Sequence, residues 1–246
     1  MSPTYVLIHG SWHTGEAWEG VVAALAEHGI TDVHTPTIAG HGPGVPKDVT
    51  HNDCVQSVVD YIVEHDLTDF VLLGHSYGGT IVSRLYEEVP DRIRRLVYLN
   101  AFVLAPNGCL NDETPPQDRA PFEMLAAASD DDTITMPFPV WRERFIGDAD
   151  FELAQRTYAT LSPEPAQPWR DRLPLDRFYA TIDQIGRSYI NCTEDIAIPQ
   201  GEQWSWHPRM SQRLGSPRLV QLHGSHETLF SNPVLLAEKI VEAGRD

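Results

Sequence analysis

Short apolar, β-branched runs alternate with helical patterns along the first hundred residues. Residues 6–9 and 70–74 have the composition of buried strands. Apolar side chains at i, i+3, i+4 and i+7 from Trp18 predict a helix with one buried face. Because strands separated by helices are typical of βαβ units, the pattern predicts an α/β fold: a mostly parallel central sheet with helices on both faces.

Two further helices in this half have recognisable ends. The helical spacing of residues 55–62 follows Asn52 and Asp53, and either side chain is expected to cap the start of that helix. Residues 80–89 predict a helix that ends at Pro90, because proline lacks the backbone N–H that continues the hydrogen-bond ladder.

The strand pattern extends to the C-terminal end of the chain. Four more strands are predicted, at residues 31–35, 96–99, 188–192 and 218–223. A helix is expected after Pro199, and a final helix is expected to begin at Ser231 or Asn232, with Pro233 in its first turn.

The alternation breaks between residues 103 and 181. This segment holds ten of the nineteen prolines in the chain and the acidic run at residues 130–132. It also carries more aromatic side chains than a disordered segment usually does. We therefore interpret residues 103–181 as a mainly helical cap inserted into a core formed by residues 1–102 and 182–246, and a flexible acidic insert is the alternative.

Composition and charge narrow the classes of partner. A chain of 246 residues and 27.6 kDa, 41% hydrophobic and 22% charged, suits one large folded domain. Its formal net charge of −17 repels phosphate backbones and anionic lipid surfaces. We expect a small-molecule substrate and neither nucleic acid nor membrane as a partner.

Cysteine spacing and the first residues predict a cytoplasmic protein. Cys54, Cys109 and Cys192 lie far apart in sequence and form no C-x-x-C pair, so neither a disulfide framework nor a thiolate zinc cluster is expected. Residues 1–9 have no basic start and only a short apolar run, unlike a signal peptide. No later stretch approaches the roughly 20 apolar residues of a membrane span.

The most informative motif is Gly74-His-Ser-Tyr-Gly78, a G-x-S-x-G between a predicted strand and a predicted helix. A serine at such a sharp turn adopts an unfavourable backbone conformation, and glycines two residues away on either side remove side chains that would collide. The helix that follows directs free N–H groups and its positive dipole toward the serine. Ser76 is therefore predicted to be a nucleophile.

A serine nucleophile requires a histidine base and an acid that orients it. His226 is preferred as the base, because the turn before it carries it past the edge of the sheet, whereas His223 is expected to complete the strand as a structural residue. Glu194 and Asp195 both follow the strand at 188–192, where a carboxylate is placed to reach Nδ1 of the histidine. Of these two neighbours, Asp195 is chosen as the acid. The alternative position after residue 99 offers only Asn100, which has no negative charge.

The loop after the first strand is expected to complete an oxyanion hole. We expect the backbone N–H groups of Ser11 and Tyr77 to bind the oxyanion, with Gly10 allowing close approach of the backbone. Gly10, Trp12 and His75 are placed at the substrate pocket, and the aromatic cap favours a small apolar or aromatic substrate.

Histidine spacing alone does not support a metal site. His9 and His13 are four residues apart and His223 and His226 three apart, but neither pair lies on a predicted helix. We expect neither a metal ion nor an organic cofactor.

At this point the sequence resembles the α/β-hydrolase superfamily, and within it the group of plant methyl esterases and hydroxynitrile lyases with their bacterial esterase relatives. The resemblance is carried by Val6-Leu-Ile-His-Gly10 followed by Trp18, Gly74-His-Ser-Tyr-Gly-Gly79, Cys192-Thr-Glu-Asp-Ile-Ala-Ile-Pro199 and Gly224-Ser-His226. It implies that Ser76, His226 and Asp195 are nucleophile, base and acid, and that the insert is a lid over an apolar pocket. Members of the group often form dimers, so a homodimer is a further expectation.

Two positions favour an esterase over a lyase. Members of the group that cleave cyanohydrins carry threonine directly after the first-strand histidine and lysine directly after the catalytic histidine, where this chain has Gly10 and Glu227. A glutamate opposes the departure of cyanide, which a lysine stabilises. We predict a serine hydrolase that cleaves a small apolar or aromatic methyl ester, aryl ester or carbamate through an acyl-enzyme. A hydroxynitrile lyase, a cofactor-independent oxygenase and a non-catalytic small-molecule receptor remain the alternatives.

Overall fold

A parallel sheet of six strands organises residues 3–246, the part of the chain that the computed structural model describes. The strand order is β2-β1-β3-β4-β7-β8, and every neighbouring pair is parallel. The strands of the chain are β1 (Tyr5–Ile8), β2 (Val33–His34), β3 (Phe70–His75), β4 (Ile93–Leu99), β5 (Thr133–Ile134), β6 (Glu164–Pro165), β7 (Gly186–Cys192) and β8 (Arg218–Leu222). Strands β5 and β6 form a separate antiparallel pair. Met1 and Ser2, the start of the segment considered as a signal peptide, lie outside the described residues.

Helices cover both faces of the sheet, as the sequence predicts for an α/β fold. They are α1 (Glu19–Glu27), α2 (His51–Glu64), α3 (Gly78–Glu88), α4 (Pro116–Ala128), α5 (Phe138–Val140), α6 (Phe151–Tyr158), α7 (Gln167–Arg170), α8 (Asp176–Thr181), α9 (Thr228–Ser231) and α10 (Pro233–Gly244). Alternate side chains of β1 show the two layers: Val6 and Ile8 pack with α2 and α3, whereas Tyr5 and Leu7 pack with α1 and α10. Within residues 3–246, no helix combines the length and apolar character needed to cross a bilayer.

Two predicted elements differ from the observed ones. The strand expected at residues 31–35 is only two residues long, because β2 lies at the sheet edge and pairs with β1 alone. The helix expected directly after Pro199 is absent from residues 200–205. Gly201 has a φ of +134° there, which is incompatible with a helix, and a helical turn begins only at Trp206–Met210.

The start of α2 corrects a predicted cap. Thr50, rather than Asn52 or Asp53, is the N-cap: its hydroxyl accepts a hydrogen bond from the Asp53 N–H, and the Asp53 carboxylate accepts one from the Thr50 N–H at 2.8 Å. This reciprocal capping box satisfies two donors at once, which a cap at residue 52 or 53 would not do. At α10 the predicted cap is confirmed, since Asn232 accepts from the Leu235 N–H at 3.2 Å.

The segment between β4 and β7 folds over the sheet instead of forming a flexible insert. It contains helices α4–α8 and the β5–β6 pair, and its Trp141 and Phe178 are fully buried in the same core as Val6 and Ile8. Helix α8 packs against α3 of the core. The segment is therefore built from short helices held by aromatic side chains; that it is a cap, with boundaries at residues 103 and 181, stays a prediction, and the name cap is used for it below.

We expect Thr50→Ala to lower the free energy of unfolding by about 1 kcal/mol, because the first turn of α2 loses its capping hydroxyl. Asn52→Ala is the matched control, since its exposed side chain is not the cap, and it is expected to stay within about 0.5 kcal/mol of the parent. Denaturant unfolding of both variants measures the difference. Equal losses would contradict the capping box.

Candidate active site

Ser76 lies at a tight turn between β3 and α3 and has a φ of +54°, in the left-handed region that side chains rarely adopt. The glycines on either side are required by close packing. A Cβ at Gly74 would lie 2.5 Å from the carbonyl oxygen of Gly78, and one at Gly78 would lie 2.7 Å from the carbonyl oxygens of Ile8 and His9. The G-x-S-x-G motif therefore forms the strained elbow that the sequence predicts.

The side chain of Ser76 is free to react. Its backbone is fixed, because its N–H donates to Leu99 at 3.2 Å and its carbonyl accepts from Gly79 and Phe102. Among residues 3–246, no group forms a hydrogen bond with Ser76 Oγ, and the side chain lines a cavity that His226 also lines. The structure thus brings the predicted nucleophile and base to the wall of one cavity.

His226 follows β8 and pairs with Asp195, which follows β7. His226 Nδ1 lies 2.5 Å from Asp195 Oδ2, and both side chains are almost fully buried. Because Asp195 occupies Nδ1, Nε2 is the ring nitrogen left to face the cavity. His223 is different: the expectation that it completes the strand is wrong, since β8 ends at Leu222, and its side chain is 89% exposed.

Asn100 holds Asp195 in place, a contact that the sequence did not predict. Asn100 Nδ2 donates to Asp195 Oδ2, and Asn100 Oδ1 accepts from the Cys192 N–H at 2.9 Å. The other carboxylate oxygen of Asp195 accepts from the Ala197 N–H at 2.8 Å. A neutral amide at the end of β4 is suited to this position because it donates to the carboxylate without neutralising its charge.

Aromatic rings enclose the His226 imidazole. The Trp206 ring stacks on it at a centroid distance of 5.2 Å, and Phe145 contacts it edge-on at 5.3 Å. Burial lowers the pKa of the imidazole, whereas the charge and hydrogen bond of Asp195, together with the charge of Glu227, raise the pKa of His226 above its ordinary value. The environment therefore favours an imidazolium, the form that a general base becomes when it accepts a proton.

The two predicted oxyanion donors flank the elbow. No hydrogen bond in residues 3–246 engages the backbone N–H of Ser11 or of Tyr77. A Cβ at Gly10 would lie 3.0 Å from Ser76 Cβ, so a glycine is needed for the first-strand loop to approach the serine this closely. Both donors are consequently available to an oxygen bound beside Ser76.

The cavity is small and mostly apolar, about 40 Å³ in volume. Its walls are Ser11, Trp12, Ser76, Phe102, Leu110, Thr114, Asp118, Phe122, Phe145, Trp169, Ala197, Ile198, Trp206 and His226. Six of these fourteen residues come from residues 103–181, where the sequence pattern gave no register by which to choose them.

Two residues placed at the pocket by sequence do not line this cavity. Trp12 does, but Gly10 and His75 do not. His75 is fully buried beneath the base, where its Nε2 donates to the carbonyl oxygen of His226 at 3.0 Å. Burial lowers the pKa of His75 to about 3, so this imidazole is neutral. Its position directly before Ser76 puts it at the end of β3, on the inner side of the turn.

Metal-ligating groups are close together at one point. In the described part of the chain, His75, His226 and Glu227 offer ligand atoms that all lie within 4.8 Å of one another. Existing contacts already engage this group, since His226 binds Asp195 and Glu227 lies 3.1 Å from His13 Nε2. The expectation that no metal is needed stays a prediction.

Comparison with known proteins gives the family. The sequence model of the alpha/beta hydrolase family matches residues 5–239. The chain belongs to this family. The resemblance to the α/β-hydrolase superfamily, inferred from the motifs, is confirmed. This hydrolase has the parallel sheet, the serine at the turn after β3, and the Asp195–His226 pair at the ends of β7 and β8.

Three similar proteins match this hydrolase over almost its full length. An extracellular alpha/beta-hydrolase from a Paenibacillus species is 43% identical with a TM-score of 0.95, over 99% of this chain and 100% of that one. A pyrethroid hydrolase from Sphingobium wenxiniae is 28% identical over 96% of this chain and 86% of its own. Salicylic acid-binding protein 2 of Nicotiana tabacum is 24% identical over 97% of this chain and 95% of its own.

We expect His226 to titrate with a pKa above 6.5 in the parent and below 6.5 in Asp195→Asn, because the variant keeps the burial and loses the charge that stabilises the imidazolium. NMR titration of the imidazole signals, assigned by their loss in His226→Gln, measures both values. An unchanged pKa in Asp195→Asn would show that the carboxylate does not act on this ring.

Proposed function

We propose that this hydrolase is a serine esterase that cleaves small apolar or aromatic esters through an acyl-enzyme on Ser76. The observation that carries the proposal is the buried His226–Asp195 pair, whose free ring nitrogen shares a small apolar cavity with an unpaired serine hydroxyl. Such a constellation has the nucleophile, the base and the orienting acid of acyl transfer. No cofactor takes part in the proposed reaction.

The proposed reaction begins when His226 Nε2 takes the proton of Ser76 as Oγ attacks the ester carbonyl carbon. The negative charge that develops on the carbonyl oxygen is bound by the N–H groups of Ser11 and Tyr77, while Asp195 stabilises the imidazolium. His226 then gives its proton to the departing alcohol. In the second half, His226 deprotonates a water molecule that attacks the acyl carbonyl carbon. The bond from this carbon to Ser76 Oγ then breaks, and His226 returns its proton to Oγ as the acid is released.

Cavity chemistry and relatives support the substrate class. Aromatic and aliphatic side chains form most of the wall, which suits apolar acyl and alcohol groups. An esterase is also consistent with the names of similar proteins, a pyrethroid hydrolase among them. Methyl esters, aryl esters and carbamates are the proposed candidates, and the small volume favours compact ones.

The electrostatics beside His226 disfavour the lyase alternative. Glu227 is buried, and although burial raises the pKa of a carboxyl, the neighbouring His13, with His75 and His226, lowers the pKa of Glu227 to about 2. The side chain is therefore a carboxylate at neutral pH. A fixed negative charge at this position repels a departing cyanide ion, so ester hydrolysis fits the site better than cyanohydrin cleavage.

We also propose a cytoplasmic location and a homodimeric assembly. Three free, buried cysteines suit the proposed cytoplasmic location. The Paenibacillus hydrolase is extracellular by its description, so fractionation of the source cells decides the point. A homodimer is proposed only because the family group often forms one.

Ser76→Ala is expected to lower the kcat for p-nitrophenyl acetate by about 10⁴-fold or more, because no other hydroxyl replaces the nucleophile. Steady-state kinetics measure the loss, and circular dichroism checks that the fold is kept. The control is Ser216→Ala, at an exposed position, which should match the parent. Esterase activity retained in Ser76→Ala would refute the proposed function.

A further inference from the structure

Glu164 is a fully buried carboxylate on strand β6 of the cap. Its Oε2 accepts the Trp12 N–H at 2.8 Å and lies 3.0 Å from His41 Nε2, and its Oε1 accepts the indole N–H of Trp169 at 3.0 Å. Burying a charge is costly unless it is paired and hydrogen-bonded. Two N–H donors and the His41 ring converge on this carboxylate, and both N–H donors belong to residues that line the Ser76 cavity.

The most informative of these donors is the backbone N–H of Trp12, in the peptide unit that joins it to Ser11. Trp12 has a φ of +65°, which is unfavourable for a bulky side chain and persists only when surrounding contacts enforce it. Glu164 enforces it at the N–H, and the Ser162 N–H donates to the Trp12 carbonyl at 2.9 Å. The Ser11–Trp12 peptide unit is bonded directly to the Cα atom of Ser11. Its orientation therefore constrains the backbone conformation of Ser11, and with it the direction of the Ser11 N–H.

Through His41, the same carboxylate is also linked to the side chain of Tyr77, whose backbone N–H is the second proposed oxyanion donor. The His41 ring, paired with Glu164, stacks on the Tyr77 ring at a centroid distance of 5.9 Å and an interplanar angle of 23°. Burial lowers the pKa of His41, but the charge and hydrogen bond of Glu164 raise the pKa of His41 above its ordinary value. Burial raises the pKa of Glu164, but His41 and the Trp12 N–H bring the pKa of Glu164 below its ordinary value. These pKa shifts favour the ionised pair, which contacts the Trp12 N–H, next to Ser11, on one side and the Tyr77 ring on the other.

We propose that Glu164 is a positioning residue: by holding the Ser11–Trp12 peptide, it fixes the backbone of Ser11, whose own N–H is a proposed oxyanion donor. The inference rests on the proposed serine-esterase function and extends it: a cap carboxylate, 88 residues after Ser76 in sequence, organises the backbone donors of the core. Oxyanion binding stabilises the transition state more than the ground state, so the loss is expected in kcat and not in KM.

Glu164→Gln tests the proposal because glutamine has the same shape and lacks the charge. Its single carbonyl oxygen cannot accept from both indole and backbone while also pairing with His41. We expect kcat for p-nitrophenyl acetate to fall at least ~10-fold, with KM within about threefold of the parent. A trifluoromethyl ketone, which forms the tetrahedral adduct, should bind more weakly by a similar factor.

Glu113→Gln is the matched control for a purely structural effect. Glu113 is also a buried carboxylate between β4 and β7, but it pairs with Arg209 and Arg213 and contacts neither oxyanion donor. It should lose stability in thermal unfolding yet keep kcat within about twofold. Equal kcat losses in the two variants would overturn the proposal, as would parental kcat in folded Glu164→Gln.

Glu164→Asp decides the question if the glutamine variant does not fold. Its carboxylate keeps the charge but is one methylene shorter, so it cannot contact all three donors, and kcat should again fall without a matching change in KM. Parental kcat in this variant would contradict the proposal. Failure of the proposed function looks different, because the parent itself would then show no Ser76-dependent hydrolysis.

Discussion

The hydrogen bond between His226 and Asp195 is the contact on which the chemistry of this hydrolase depends. A buried carboxylate is tolerated only when donors surround it, and here the donors are the Asn100 amide, the Ala197 N–H and the imidazole itself. With Nδ1 occupied, the ring keeps one orientation and leaves Nε2 toward the cavity. The parallel sheet makes this arrangement possible, because the carboxyl ends of β3, β7 and β8 lie at one edge.

The cap contributes more to this site than a cover. Its Phe145 packs on the His226 ring, and its Glu164 holds the Trp12 peptide of the core. Side chains of residues 103–181 therefore contact both the proposed base and the loop that follows β1.

The sequence predicted those parts of the site that local chemistry dictates. Ser76 was found because a strained turn demands glycines at two fixed positions, and His226 because a short turn must carry it beyond its strand. Asp195 was chosen over the adjacent Glu194 because a carboxylate in the loop after a core strand can reach the histidine, and the structure pairs Asp195 with the predicted base.

Contacts between segments that are distant in sequence could not be predicted. Asn100 was set aside for lacking a charge, although its amide is what holds Asp195. Glu164 carries no local signal, since its partners Trp12 and His41 lie more than a hundred residues earlier. His75 was placed at the pocket from its position in the motif, but only the register of β3 shows that it points into the protein. Capping of α2 was misjudged by a few residues because several adjacent side chains can cap.

The central claim is that the acyl group is transferred to Ser76, and rapid-quench mass spectrometry tests it most directly. The hydrolase is mixed with p-nitrophenyl acetate, quenched in acid within the first turnover and digested. The account predicts an acetyl group on the peptide that contains Ser76, formed as fast as the burst of nitrophenol and absent from His226→Gln. Nitrophenol release with no acetyl group on Ser76, or with the label on another residue, would contradict it.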